Sequence, residues 1–100
     1  MPKELSSIRE RQSVGLREPP RYQVIIYNDD FTTMEFVVEV LVDIFHKDEE
    51  TANQLMLKVH HNGKAVVAKY PYDIAVSKTD EAMSWAKQEG FPFRMTVEEE

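Results

Sequence analysis

Asn28-Asp29-Asp30 sets two carboxylates side by side directly after the apolar run Val24-Ile25-Ile26-Tyr27. His60 stands one residue past Val59, at the end of a second apolar series. Asn28, Asp29 and His60 together offer an amide oxygen, a carboxylate and an imidazole nitrogen. An ammonium group has three donors and no acceptor, so it calls for such a set, with at least one charged member. Met34, Val37, Met56 and Val59 surround these polar residues with apolar groups, two of them methionines, the flexible side chain that adapts to irregular space. An apolar floor with a few convergent acceptors at its mouth is the usual form of a small-ligand site. The combination suits a free α-amine with a large apolar side chain beside it. His61 cannot share the task of His60, because consecutive helical residues point about 100° apart.

The same residues admit other readings. Asn-Asp-Asp after a strand is an ordinary turn and helix entry, and a histidine at a helix end commonly caps the last carbonyls. Asp29, Asp30 and His60 also form a set of metal-ligand types, but no HExxH, CxxC or spaced histidine pair accompanies them. Nucleophilic catalysis has little to work with. Ser6, Ser7 and Ser13 lie near the start, Ser77 and Ser84 fall within a helical pattern, and none sits in an elbow motif. The chain has 3 glycines and no cysteine, so it has neither a phosphate-cradling loop nor a thiolate site. On residue types alone an amine site and a metal site both stay open, and no enzyme is expected.

These side chains must be positioned by a small scaffold. One hundred residues make one domain with a single core. The net charge is −6. Residues 1–20 are slightly basic, with Lys3, Arg9, Arg11 and Arg17 against Glu4, Glu10 and Glu18, so the acidic excess belongs to residues 21–100. An acidic body repels phosphate backbones and attracts cations, so no nucleic-acid partner is expected. No run approaches the ~18 apolar residues of a membrane span, and Met1-Pro2-Lys3-Glu4 opens no secretory leader. Neither a membrane partner nor an export signal is expected.

Residues 1–20 are polar, lack a sustained period and end in Pro19-Pro20, which predicts a flexible arm. Residues 21–100 are the expected core domain. Tyr22 to Tyr27 reads as a strand. Thr32-Thr33-Met34-Glu35 has the form of a capping box, with Thr32 as the cap of a helix over about 33–45. Phe36, Val37, Val40, Leu41, Ile44 and Phe45 fit that helix's period. Asp48 caps a second helix whose stripe is Ala52, Leu55, Met56 and Val59, and Asn62-Gly63 stops it. Ala65 to Ala68 predicts a second strand. Pro71 and Asp73 open a third helix that ends at Gly90, and residues 93–97 alternate as a third strand. The order β-α-α-β-α-β predicts an α+β single domain, a small three-stranded antiparallel sheet packed on helices.

Two of these stretches resemble the signature of the ClpS adaptor family. One is Tyr22-Gln23-Val24 with Asn28 to Val37, and the other is Leu55 to Ala65. The likeness runs in register from about Tyr22 to Val97. It implies a bacterial, cytoplasmic adaptor of the N-end rule, with no cofactor. Such an adaptor binds proteins whose first residue is Leu, Phe, Tyr or Trp and delivers them to a ClpA- or ClpC-type AAA+ unfoldase of a Clp protease. By position, Asn28, Asp29 and His60 would bind the α-ammonium group. Thr32, Met34, Val37, Met56 and Val59 would line the side-chain pocket, with Met34 as the gate against β-branched first residues. Phe93, where the family usually has leucine, would stand at the pocket edge and narrow it. Asp73 and Lys78 would face the unfoldase, and the arm before Arg21 would serve in handing over cargo. The chain also departs from the family pattern at Thr33 (usually proline), Val76 (usually an acid) and Ala68 (usually glycine).

Overall fold

The computed structural model describes residues 20–100. The expected flexible arm therefore lies, apart from Pro20, outside the described residues. Six elements follow in the expected order: β1 (Tyr22–Tyr27), α1 (Met34–Asp43), α2 (Glu49–Asn62), β2 (Lys64–Tyr70), α3 (Tyr72–Glu89) and β3 (Arg94–Glu99). The three strands form one antiparallel sheet in the order β2-β1-β3. β1 is thus the central strand, which accounts for its apolar middle: Val24, Ile25 and Ile26 are all buried.

Val24 and Ile26 point into the core, where they meet Phe36, Val40 and Leu41 of α1, Ala52 and Val59 of α2, and Ala75, Ala82 and Ala86 of α3. The alanine stripe of α3 lets that helix lie close to the sheet. Phe36 is the hub of an aromatic cluster, with Trp85 and Phe91 each 5.0 Å away and Phe93 at 5.8 Å between ring centroids. Such tilted and edge-on pairs each contribute about 0.5–1.5 kcal/mol beyond their buried area.

Element ends follow the local chemistry, with one correction. Asp48 caps α2 by accepting from the Thr51 amide, as expected. Gly63 (φ 89°) and Gly90 (φ 83°) end α2 and α3 in the left-handed region, where a Cβ would be strained although nothing crowds either site. At α1, however, the cap is Thr33 and not Thr32. The Thr33 hydroxyl accepts from the Phe36 amide at 3.1 Å and the helix starts at Met34. Thr32 instead turns to Asp29, to which its amide and its hydroxyl both donate. Thr33, expected in the first helical position where proline is common, therefore supplies a capping hydrogen bond that proline lacks.

At the other end of α1 the helix stops at Asp43. His46 turns the chain with φ 57°, and Lys78 of α3 donates to the Ile44 carbonyl at 2.8 Å. The second strand is longer than its apolar run, reaching Lys64 and Tyr70, because its pairing with β1 extends to Tyr22↔Tyr70. Val67 is an extra residue in that pairing, a bulge opposite Val24 and Ile25 that bends the edge strand. No helix among the described residues is long and apolar enough to cross a membrane.

Candidate functional site

The end of β1 and the end of α2 meet because the strand pairing forces them together. Tyr27 faces Lys64, the first residue of β2. One step further along, the Asn28 amide donates to the Gly63 carbonyl at 2.9 Å. Gly63 is also the C-cap of α2, with its own amide on the Val59 carbonyl at 2.8 Å. A single glycine therefore ties the strand end carrying Asn28 to the helix turn carrying Val59 and His60.

Asp29 organises the turn that follows. Its Oδ1 accepts from the amides of Phe31 (2.8 Å) and Thr32 (2.7 Å), and its Oδ2 accepts from the Thr32 hydroxyl (2.7 Å). Burial on its own would raise the Asp29 pKa. The Thr32 hydroxyl and the two backbone amides outweigh that and hold it below the ordinary carboxylate value. Asp29 is thus ionised at neutral pH. A carboxylate has about four lone-pair sites. Three are taken by the turn, which leaves one on Oδ2 for a further donor.

Between this turn, α1 and α2 lies a cavity of about 220 Å³, lined by Tyr27, Asn28, Asp29, Asp30, Thr32, Met34, Val37, Met56, Val59 and His60. A hydrocarbon-lined cavity of about 150 Å³ accommodates benzene, so this one has room for a single large side chain. Asn28, Asp30 and His60 are exposed at its rim, Val59 is buried at its base, and Met34, the first residue of α1, is 44% exposed. The cavity has an apolar interior and acceptors at the opening, the form inferred from residue types.

All of the residues expected to hold an amine, and all but one of those expected to line a side-chain pocket, converge here. Phe93 does not. It is buried in the core against Phe36 and is not part of the lining, since its position just before β3 turns the ring inward to the aromatic cluster. Tyr27 and Asp30 also border the cavity, although Asp30 had a part only in the metal alternative and Tyr27 in none. The Tyr27 hydroxyl pairs with Thr96 Oγ1 at 3.1 Å, and the Arg94 guanidinium stacks 4.0 Å above its ring, so this wall is braced by β3. Asp30 lies past the end of β1, in the turn that Asp29 organises, where no strand or helix period marks a residue. Among the described residues no three histidine, aspartate or glutamate side chains are grouped so as to hold a metal ion.

Asp73 and Lys78 lie away from the cavity, on α3. Asp73 is exposed in the first turn. Lys78 is half-buried, with its ammonium on the Ile44 carbonyl and 5.7 Å from the centre of the Tyr70 ring.

Comparison with known proteins is consistent over nearly the whole chain. Residues 17–96 match the family model described as "ATP-dependent Clp protease adaptor protein ClpS". The ATP-dependent Clp protease adapter protein ClpS of Burkholderia mallei (strain SAVP1) is 46% identical over 97 residues, covering 97% of this chain and 93% of that protein. The protein of the same name from Burkholderia cenocepacia (strain HI2424) is 45% identical over the same length. Among solved structures, Agrobacterium tumefaciens ClpS2 bound to L-phenylalaninamide superposes with a TM-score of 0.80 at 41% identity, covering 83% of this chain and all of that one.

Proposed function

The chain belongs to the ClpS family of Clp protease adaptors, and from that premise we propose that its cavity receives the first residue of a protein substrate. The first residue's side chain enters between Met34, Val37, Met56 and Val59. Its α-ammonium group rests on Asn28, Asp29 and His60. The observation that carries this reading is the cavity itself: room for one large side chain, with an ionised carboxylate at the mouth that keeps one acceptor position free. The relative bound to L-phenylalaninamide supports it, because that ligand combines a free α-amine with a benzyl group.

The reading sets the chain's selectivity. A buried Leu or Phe side chain contributes about 1.5–3 kcal/mol, and each charge-assisted hydrogen bond about 1.5–3 kcal/mol. Association offsets several kcal/mol, which leaves roughly micromolar affinity. Leu, Phe, Tyr and Trp satisfy both halves of the site. A β-branched first residue brings its branch against Met34 at the entrance, and a blocked amine leaves the acceptors unpaired. As an adaptor, the chain then presents its cargo to the AAA+ unfoldase of a Clp protease, of the ClpA or ClpC type, in the bacterial cytoplasm. The exposed Asp73 on α3 belongs to the surface that would meet it. Lys78, engaged with Ile44, would shape that surface more than touch the partner.

Fluorescent peptides beginning with free Phe, acetylated Phe and Val test the proposal. Free Phe should bind in the micromolar range, and the other two at least tenfold more weakly. Equal binding of all three would refute it.

A further inference from the structure

The chain has 5 methionines and no cysteine, so thioethers are its only sulfur. Met1 lies outside the described residues, and the other four differ in their access to solvent. Met95 is 3% exposed in the core, and Met83 is half-buried on α3. Met56 is half-buried on α2, whereas Met34 is 44% exposed. Its place in the fold accounts for this. A helical side chain leans over the turn before its own, and Met34, the first residue of α1, has no such turn to lie against.

Met34 and Met56 are also the two thioethers of the cavity wall, beside Val37 and Val59. Oxidation leaves the length of a methionine unchanged and adds one polar oxygen. With a peroxide, the sulfur lone pair bonds to one oxygen and the O–O bond breaks. The leaving hydroxide takes the proton from the transferred oxygen and departs as water. The sulfoxide oxygen accepts hydrogen bonds and cannot donate. In the cavity, the carboxylate oxygens of Asp29 and Asp30 are acceptors too, and the Thr32 hydroxyl already donates to Asp29. Asn28 and His60 stand at the rim, exposed to solvent. Water is thus the readiest partner for the new oxygen, and it is held where an apolar side chain would have to pack.

We propose that Met34 is a redox modification site, whose oxidation by a peroxide closes the cavity to apolar first residues, with Met56 following more slowly. This rests on the first-residue reading above and adds a control over it. The control is reversible, because methionine sulfoxide reductases, one for each sulfoxide epimer, restore the thioether.

The test treats the full chain with graded hydrogen peroxide, locates the sulfoxides by peptide mass spectrometry, and titrates a fluorescent Phe-first peptide before and after. Met34 should oxidise at least about fivefold faster than Met95, since susceptibility follows exposure. Affinity should fall about five- to a hundredfold as Met34 sulfoxide accumulates. Near-ultraviolet circular dichroism should stay unchanged, and the two reductases with dithiothreitol should restore binding. At the dose that converts Met34 in the native chain, peroxide should change the affinity of Met34→Leu, whatever its starting value, by less than about twofold, because leucine has no sulfur to oxidise. In Met83→Leu the full loss should persist. Oxidation of Met34 no faster than Met95, undiminished affinity once Met34 is oxidised, a loss that remains in Met34→Leu, one that tracks unfolding, or one the reductases do not reverse would each overturn the switch and leave the first-residue reading standing. Failure of the untreated chain to bind the Phe-first peptide would overturn the reading and the switch together.

Discussion

Asp29 has two tasks whose energetics can be separated. It builds the turn through three hydrogen bonds, and on the proposed reading its remaining oxygen position receives the ligand amine. In Asp29→Asn the Oδ1 contacts can persist but the charge is gone. Affinity for a Phe-first peptide should fall at least tenfold, the loss expected for a charged hydrogen bond, while the urea midpoint shifts little. Thr32→Val acts differently, because it removes the hydroxyl that most strongly lowers the Asp29 pKa. A carbon-detected NMR titration should find the Asp29 carboxyl moved upward in that variant; an unchanged value would show that the hydroxyl does not hold it. The folded pKa lies below its ordinary value of 3.8. The stabilisation linked to Asp29 is therefore complete at neutral pH and is lost as pH falls through the lowered folded value. That Asn28, Asp29 and His60 belong together was legible in the sequence, because an amide, a carboxylate and an imidazole are unusual company beside apolar runs, and the three line one cavity. Phe93 was misplaced, because its inward direction follows from the cluster around Phe36, which no local spacing encodes.

At the scale of elements, two adjacent threonines divide their labour. Thr33 caps α1, whereas Thr32 is committed to Asp29. Thr33→Ala should lower stability by about 1 kcal/mol and leave peptide affinity unchanged, since Thr33 does not line the cavity. A loss of affinity at constant stability would contradict this division. Thr32-Thr33 fits the capping pattern in two frames, and only the side chain of Asp29 decides between them; the motif alone could not. Lys78 closes the far end of α1 by donating to Ile44. Lys78→Met keeps most of the stem and removes the donor, so it should cost about 1 kcal/mol of stability. If delivery to the unfoldase failed in Lys78→Met with no change in melting, the ammonium would have a direct role at that surface. Helix stops were the easiest features to read, because Gly63 and Gly90 are needed for their left-handed backbone. The bulge at Val67 was not, since an extra residue in a short apolar strand leaves no mark in its composition.

For the whole molecule, charge and titration set the conditions of binding. The net charge of −6 favours approach of a cationic chain end. A peptide α-amine has a pKa of about 8. Affinity should therefore be steady through neutral pH and weaken about tenfold per unit well above pH 8. A flat profile to about pH 9.5 would count against an ammonium ligand. Raising salt should slow association more than it speeds release, because steering is screened beyond ~10 Å at 0.1 M. The order of elements and the sheet were legible from periodicity and punctuation, since each helix and strand carries its own apolar stripe. Strand order was less so, because placing β1 in the middle depends on pairings between residues as distant as Tyr22 and Glu99.

The bond from the Asn28 amide to the Gly63 carbonyl joins positions 35 apart in the chain. Pairing of β2 with β1 is therefore part of what brings Asn28 and His60 together. On the proposed reading, a copy in which β2 is unpaired from β1 would not bind cargo. Ligand should in turn act as a folding clamp, with phenylalaninamide at a hundred times its Kd adding about 2.7 kcal/mol to the unfolding free energy. Occupied adaptors should thus outlast empty ones under proteolysis.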